Sequence, residues 1–242
     1  MSRKKSLINI LLYTITPFII QMFLLMHYQN NYGLSTTQAA QRLLSSIASV
    51  RGMLMMMGPL TIIIFLLNHK YFIAKFHYSF SVLKESIVYG VAGYMASIFC
   101  LAILGMIIQL NGLEVTNPEN QEIINSMLAN TNLPMAIFTL GLVIPLLEEL
   151  IFRISFAGLF VKDKVTTSWL PYIAMAIVFA LIHETSIITI HDINSLIMFL
   201  FYFIPAMVLS AIYKLSKHNI LSVYIMHVLT NIIAVIASNY IS

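Results

Sequence analysis

Seven mostly apolar runs succeed one another along the chain, at approximately 7–27, 53–68, 87–110, 133–156, 170–186, 195–213 and 220–239. A helix crossing the roughly 30 Å hydrocarbon core of a bilayer needs about 20 such residues, so each run reads as a membrane span, the second and fifth being short. The 242 residues are 60% hydrophobic and 9% charged, against about 25% charged in a soluble domain. No water-exposed fold hides that much apolar surface, so the lipid bilayer must act as its solvent. The expected architecture is all-α: a polytopic membrane helix bundle of about seven transmembrane helices, forming one transmembrane domain over residues 1–242. The motif-bearing core falls at about 133–239.

Charge placement sets an expected orientation. The N-terminus and alternate loops carry Arg3, Lys4, Lys5, Lys70, Lys75, Lys84, Lys162, Lys164, Lys214 and Lys217. The other loops carry Arg42 and Arg51 with the acidic Glu114, Glu119, Glu122 and Asp192. The positive-inside rule then places the N-terminus in the cytoplasm and the C-terminus outside, the expected membrane being a bacterial plasma membrane. The net charge of +4 is dispersed between apolar runs, which argues against a nucleic-acid partner. The first run follows a basic N-terminus but is longer than a signal peptide's apolar stretch and lacks a small-residue cleavage site, so it reads as an uncleaved span. The lone Cys100 excludes an internal disulfide framework. Leu34 to Val50, with Leu43, Leu44, Ile47 and Val50 at helical spacing, reads as an interfacial amphipathic helix. The 112–132 connection carries helical spacing at Ile123, Ile124 and Met127.

Three polar constellations interrupt the later runs. Pro145-Leu-Leu-Glu148-Glu149-Leu-Ile-Phe-Arg153 places three ionisable groups within six positions, each costing about 2.5–3.5 kcal/mol at mid-membrane. Glu149 and Arg153 stand i, i+4 in the favourable order for pairing. Glu148 is turned about 100° away from Glu149, toward a polar cavity. A helix end with snorkelling charges is the alternative reading. Phe179-Ala-Leu-Ile-His183 puts two rings on one helix face, where an interfacial or capping imidazole is the competing account. His183-Glu184 is not the start of a zinc-protease H-E-x-x-H motif, because Ile187 stands where the second His is needed. His227-Val-Leu-Thr-Asn231 puts an imidazole and a carboxamide on one face; interhelical hydrogen bonding explains the Asn better than it explains the pair.

Together, a Glu, two His and an Asn from three helices supply the parts of a hydrolytic site. A carboxylate and an imidazole hold and deprotonate water, while a second imidazole and an amide stabilise an oxyanion. Counting about 1.5 Å per residue from the expected helix ends places Glu148 and His227 in the cytoplasmic half and His183 nearer the outside. Pro145 and Pro171 are the candidate helix irregularities, tolerated where neighbours satisfy the freed backbone groups.

The ordered set E-E-x-x-x-R, F-x-x-x-H and H-x-x-x-N on successive membrane helices resembles the CPBP (CAAX protease and bacteriocin-processing) family of intramembrane endopeptidases. The resemblance runs from about Pro145 to Asn231. It implies a water activated by Glu148 with His183, an oxyanion site from His227 and Asn231, and supporting roles for Glu149, Arg153 and Phe179. The implied substrate is a peptide or membrane-associated protein. Metal use stays open. Glu148, His183 and His227 are the ligand set if a divalent ion such as zinc is used, while a metal-free glutamate mechanism keeps His227 beside Asn231 as oxyanion donor. Oligomeric state is not indicated. Two other classes compete: a non-enzymatic immunity or scaffold protein of the same family, and a small-solute transporter, which the lack of repeat symmetry disfavours.

The remaining polar and sulfur-rich features read as background. Met53 to Met57 reads as adaptable packing. His27, His69, His77 and His218 read as span-end imidazoles, and His191-Asp192 as an exposed loop pair. Gly90, Gly93 and Ala96 read as a close-packing face.

Overall fold

The computed structural model describes residues 2–75, 80–113, 119–129, 131–160, 168–189 and 192–241. The side chains of Lys75, His77, Glu114, Glu119, Glu122, Ile123, Lys162, Lys164 and His191, named above, lie outside the described residues. Among the described residues every regular element is helical.

Helix starts follow local chemistry. Ser2 accepts from the Lys5 N–H and opens α1, Arg3–Tyr32. Ser35 and Gln38 form a reciprocal capping box for α2, Thr36–Ile47. Two long apolar helices follow, α3 at Val50–Lys75 and α4 at Phe80–Leu110. The short α5, Glu119–Ala129, buries Met127 and Leu128. Asn132 caps α6, a helix running through Leu133–Phe160. Then come α7 (Leu170–His183), the single turn α8 (Ser186–Thr189), α9 (Ile193–Leu215) and α10 (Ile220–Ile241). Asp192 caps α9 by accepting from the Ser195 N–H and hydroxyl. A tight turn with Lys217 and His218 at positive φ joins α9 to α10.

Six helices (α1, α3, α4, α6, α9, α10) are long and apolar enough to cross a membrane, and α7 is a shorter apolar helix. The chain is an all-α polytopic bundle of roughly seven helices. The fifth run is the correction. It spans 14 residues and ends at His183, about 21 Å of helix. Pro171 is no irregularity either: it lies in the first turn of α7, where a missing N–H is harmless.

Helix α6 is the hub. Its apolar window is 61% buried, against 6% for α1, so α6 packs inside the bundle and α1 lies at its edge. The core joins Leu60 and Ile64 of α3, Leu147 and Phe152 of α6, Met175 and Phe179 of α7, Leu209 of α9 and Met226 of α10. Helix α4 lies close against α9 and α10 at Gly90 and Gly93. A β-carbon there would come within 2.6 Å of Ile225 and 2.7 Å of Met226, closer than atoms pack, so the glycines set the approach. The polar stretch before α3 is helical as expected: α2 buries Ala39 and Leu43, leaves Leu44 exposed, and is tied to α1 by Tyr28 and Ser46 at 3.0 Å.

Candidate active site

Helix α6 is not a uniform α-helix. Two π-helical stretches, Ile137–Val143 and Leu150–Phe156, flank the α-helical turn Ile144–Glu149. Each wide stretch rotates the next part of the helix about its axis, a device found often at functional sites. Glu148 and Glu149 sit at the end of the central turn and point apart. Glu148 lines a cavity of about 440 Å³. Glu149 is fully buried, with Oε2 at 3.4 Å from Arg153 Nε. Arg153 is likewise fully buried; it donates from Nη2 to the Ala206 carbonyl and stands 5.8 Å from the Phe179 ring centroid. These groups are held inside the protein, so the snorkelling account of Arg153 and Glu149 does not describe them.

His183 closes α7. Its Nδ1 lies 2.8 Å from the Phe179 carbonyl; a carbonyl only accepts, so Nδ1 carries a proton. Nε2 then faces Glu148 Oε1 at 3.6 Å. The imidazole stacks on Phe179, with centroids 4.2 Å apart, and on Tyr202 of α9 at 5.4 Å. From α10, His227 places Nδ1 at 2.7 Å from Glu149 Oε1 and Nε2 at 3.4 Å from Glu148 Oε2. Asn231, one turn on, donates from Nδ2 to the Leu140 carbonyl at 3.0 Å. Glu148, Phe179, His183, His227 and Asn231 all line the one cavity.

The depth expected for His183 is therefore wrong. His183 and His227 meet the same carboxylate. Helix α6 runs on to Phe160, which lifts Glu148 away from that end of the helix, and α7 stops at His183 instead of continuing outward. At the other end of α7, the Tyr172 hydroxyl bonds His218 Nε2 in the α9–α10 turn, and Lys214 lies 4.1 Å over the Trp169 ring. These contacts bring the starts of α7 and α10 level. His183 lies 11 residues past Tyr172 and His227 nine past His218, so both imidazoles rise about 14–16 Å from that clamp. His218 lies at a span end as expected, in the α9–α10 turn, and there it is a buried partner of Tyr172.

Among the described residues, no three His, Cys, Asp or Glu side chains are grouped to hold a metal ion. Glu148 offers a separate oxygen to each imidazole, at 3.6 Å from His183 and 3.4 Å from His227.

Several residues that shape the site carried weaker signals in sequence. Tyr202 is one aromatic among many in an apolar run. Asn9 and Asn68 are polar residues within apolar runs and were legible as such. Asn9 donates to Ser155 Oγ at 2.9 Å and accepts from Asn68 at 3.2 Å, a buried network tying α1 and α3 to the second π-helical stretch.

Residues 130–233 match the family model described as type II CAAX prenyl endopeptidase Rce1-like. No curated protein and no solved structure matches the chain. The matched stretch holds Glu148, Glu149, Arg153, Phe179, His183, His227 and Asn231, and leaves α1 to α5 outside it. Over residues 130–233 the chain is thus similar to the Rce1-like type II CAAX prenyl endopeptidases of the CPBP group, a protease family.

Proposed function

We propose that the protein is an intramembrane endopeptidase that hydrolyses a peptide bond of a membrane-associated protein or peptide, with Glu148 as general base. The observation that carries this reading is the Glu148 carboxylate held between two imidazoles on the wall of a mainly apolar cavity. A water in that cavity gives its proton to Glu148, with His183 sharing and orienting it, and its oxygen adds to the carbonyl carbon. Charge moves onto the carbonyl oxygen, where His227 and Asn231 donate. Collapse breaks the C–N bond, and the departing amine takes the proton held by the Glu148–His183 pair.

Glu149 has a defined part in this reading. It accepts from His227 Nδ1, so His227 donates from Nε2 only as the imidazolium. Glu149 thus orients the His227 ring with Nε2 toward Glu148, and is itself paired with Arg153. The apolar lining suits an apolar stretch of substrate entering from the bilayer. The lysine and arginine distribution supports a cytoplasmic N-terminus and an outer C-terminus.

The test is a comparison of peptide termini in membranes and medium from cells expressing the wild-type protein, Glu148→Ala or His183→Ala at matched abundance. Loss of the same defined terminus in both variants supports the reading. Identical profiles, with any cellular phenotype depending only on the protein's presence, favour the non-enzymatic scaffold instead.

A further inference from the structure

The carbonyl that holds Asn231 is open because of a proline. In the first π-helical stretch the N–H of Ile144 goes to the Thr139 carbonyl, five residues back. The next residue in that ladder would donate to Leu140. It is Pro145, which has no N–H. The Leu140 carbonyl therefore receives neither the i+4 donor, already given to Thr139, nor the i+5 donor, which does not exist. In a membrane bundle such a group must find another partner. Asn231 supplies it across the helix interface at 3.0 Å. Because a carbonyl only accepts, the contact orients the amide with its NH₂ toward α6 and leaves the second N–H of that group for the cavity.

Two neighbouring features fit this arrangement. Gly141 follows Leu140, and a β-carbon there would lie 2.7 Å from Cγ1 of Ile232. The bare backbone lets α10 approach at the residue next to Asn231. Tyr224 of α10 donates to the Leu142 carbonyl at 3.2 Å, so α10 is docked on the π-helical stretch at two carbonyls.

We infer that Pro145 is a positioning residue for Asn231: by withholding its own N–H it opens the Leu140 carbonyl, and that carbonyl fixes the orientation of the Asn231 amide. The catalytic consequence rests on the oxyanion role proposed for Asn231; the structural coupling does not.

Thermal unfolding of the full-length protein in detergent micelles tests the coupling without any assay of activity, using Asn231→Ala, Pro145→Ala and the double variant. With Pro145 present, Asn231→Ala strips a buried carbonyl of its donor, and the Tm falls by about 2–4 °C. In the Pro145→Ala background the restored backbone N–H fills that carbonyl, and the same change at Asn231 moves the Tm by less than about 1 °C. Equal falls in both backgrounds overturn the inference. Pro145→Gly restores the same N–H and is read identically should the alanine variant fold poorly. In cells, the rate at which the Glu148-dependent terminus appears falls about tenfold or more in Pro145→Ala, and the double variant is no slower than Asn231→Ala alone. Additive slowing also overturns the inference. Thermal coupling with normal processing in every variant upholds the positioning and overturns the oxyanion role.

Discussion

Arg153 and Glu149, both fully buried, are where single-residue changes cost most. Removing one partner of a buried ion pair leaves the other charge uncompensated, a penalty of about 3–5 kcal/mol. Glu149→Gln is therefore expected to lower the Tm in micelles by several degrees while the His227 Nδ1 contact keeps an acceptor; an unchanged Tm contradicts the ion-pair account. At Tyr202 the ring stacks on the His183 imidazole at 5.4 Å between centroids. Tyr202→Phe keeps the stack on His183 and is expected to process near the wild-type rate. Tyr202→Leu is expected to be about threefold to tenfold slower, the size of one aromatic contact. Equal rates for both variants contradict a positioning role for the ring. The charged motif residues were legible in sequence because ionisable groups in an apolar helix are expensive enough to need a reason. Tyr202 was not, since a tyrosine in such a run has many uses.

At the level of elements, the departures from regular helix position the candidate site residues Glu148 and Glu149. The turn carrying Glu148 and Glu149 lies between two π-helical stretches, and the sequence offered only Pro145 as a hint of irregularity. The hint was real but silent about consequence, because π-helix depends on which neighbours donate to the freed carbonyls. The fifth run illustrates a different limit. The run was expected to reach residue 186, whereas the backbone ends the helix at Glu184, whose side chain accepts from the Ser186 N–H. Gly141→Ala tests the close approach of α6 to α10. The added carbon meets Ile232, with an expected loss of about 1–3 kcal/mol by overpacking, read as a lower Tm; an unchanged Tm contradicts the close approach. The exposed Asp192 cap gives a pH dependence. Hydrogen bonds from Ser195 hold its carboxyl below the usual carboxylate range. A group depressed in the folded state stabilises fully above its unfolded pKa and loses that contribution as pH falls through the folded value. Acid unfolding of Asp192→Asn is therefore expected to be less steep below about pH 4 than that of the wild-type protein; identical acid profiles contradict the cap.

For the whole molecule, composition and the spacing of apolar runs were enough for an all-α membrane bundle, because lipid leaves backbone groups to be satisfied inside the protein, which helices do for nearly all of their own. What they could not supply was the meeting of three helices at one carboxylate. That depends on the interhelical clamp of Tyr172 with His218, which no local pattern encodes, as well as on the glycine contacts of α4, which the small-residue spacing did signal. The peripheral α1 is held to α6 by Asn9 and Ser155. The central claim is that this convergence makes Glu148 a general base. Its most direct test uses the purified protein in proteoliposomes with a peptide spanning the terminus whose formation depends on Glu148 in cells. The wild-type protein is predicted to cleave it at the same bond, equally well after chelator treatment, and Glu148→Gln to be slower by at least about a hundredfold. Cleavage by Glu148→Gln at the wild-type rate, or none by the folded wild-type protein, would contradict it.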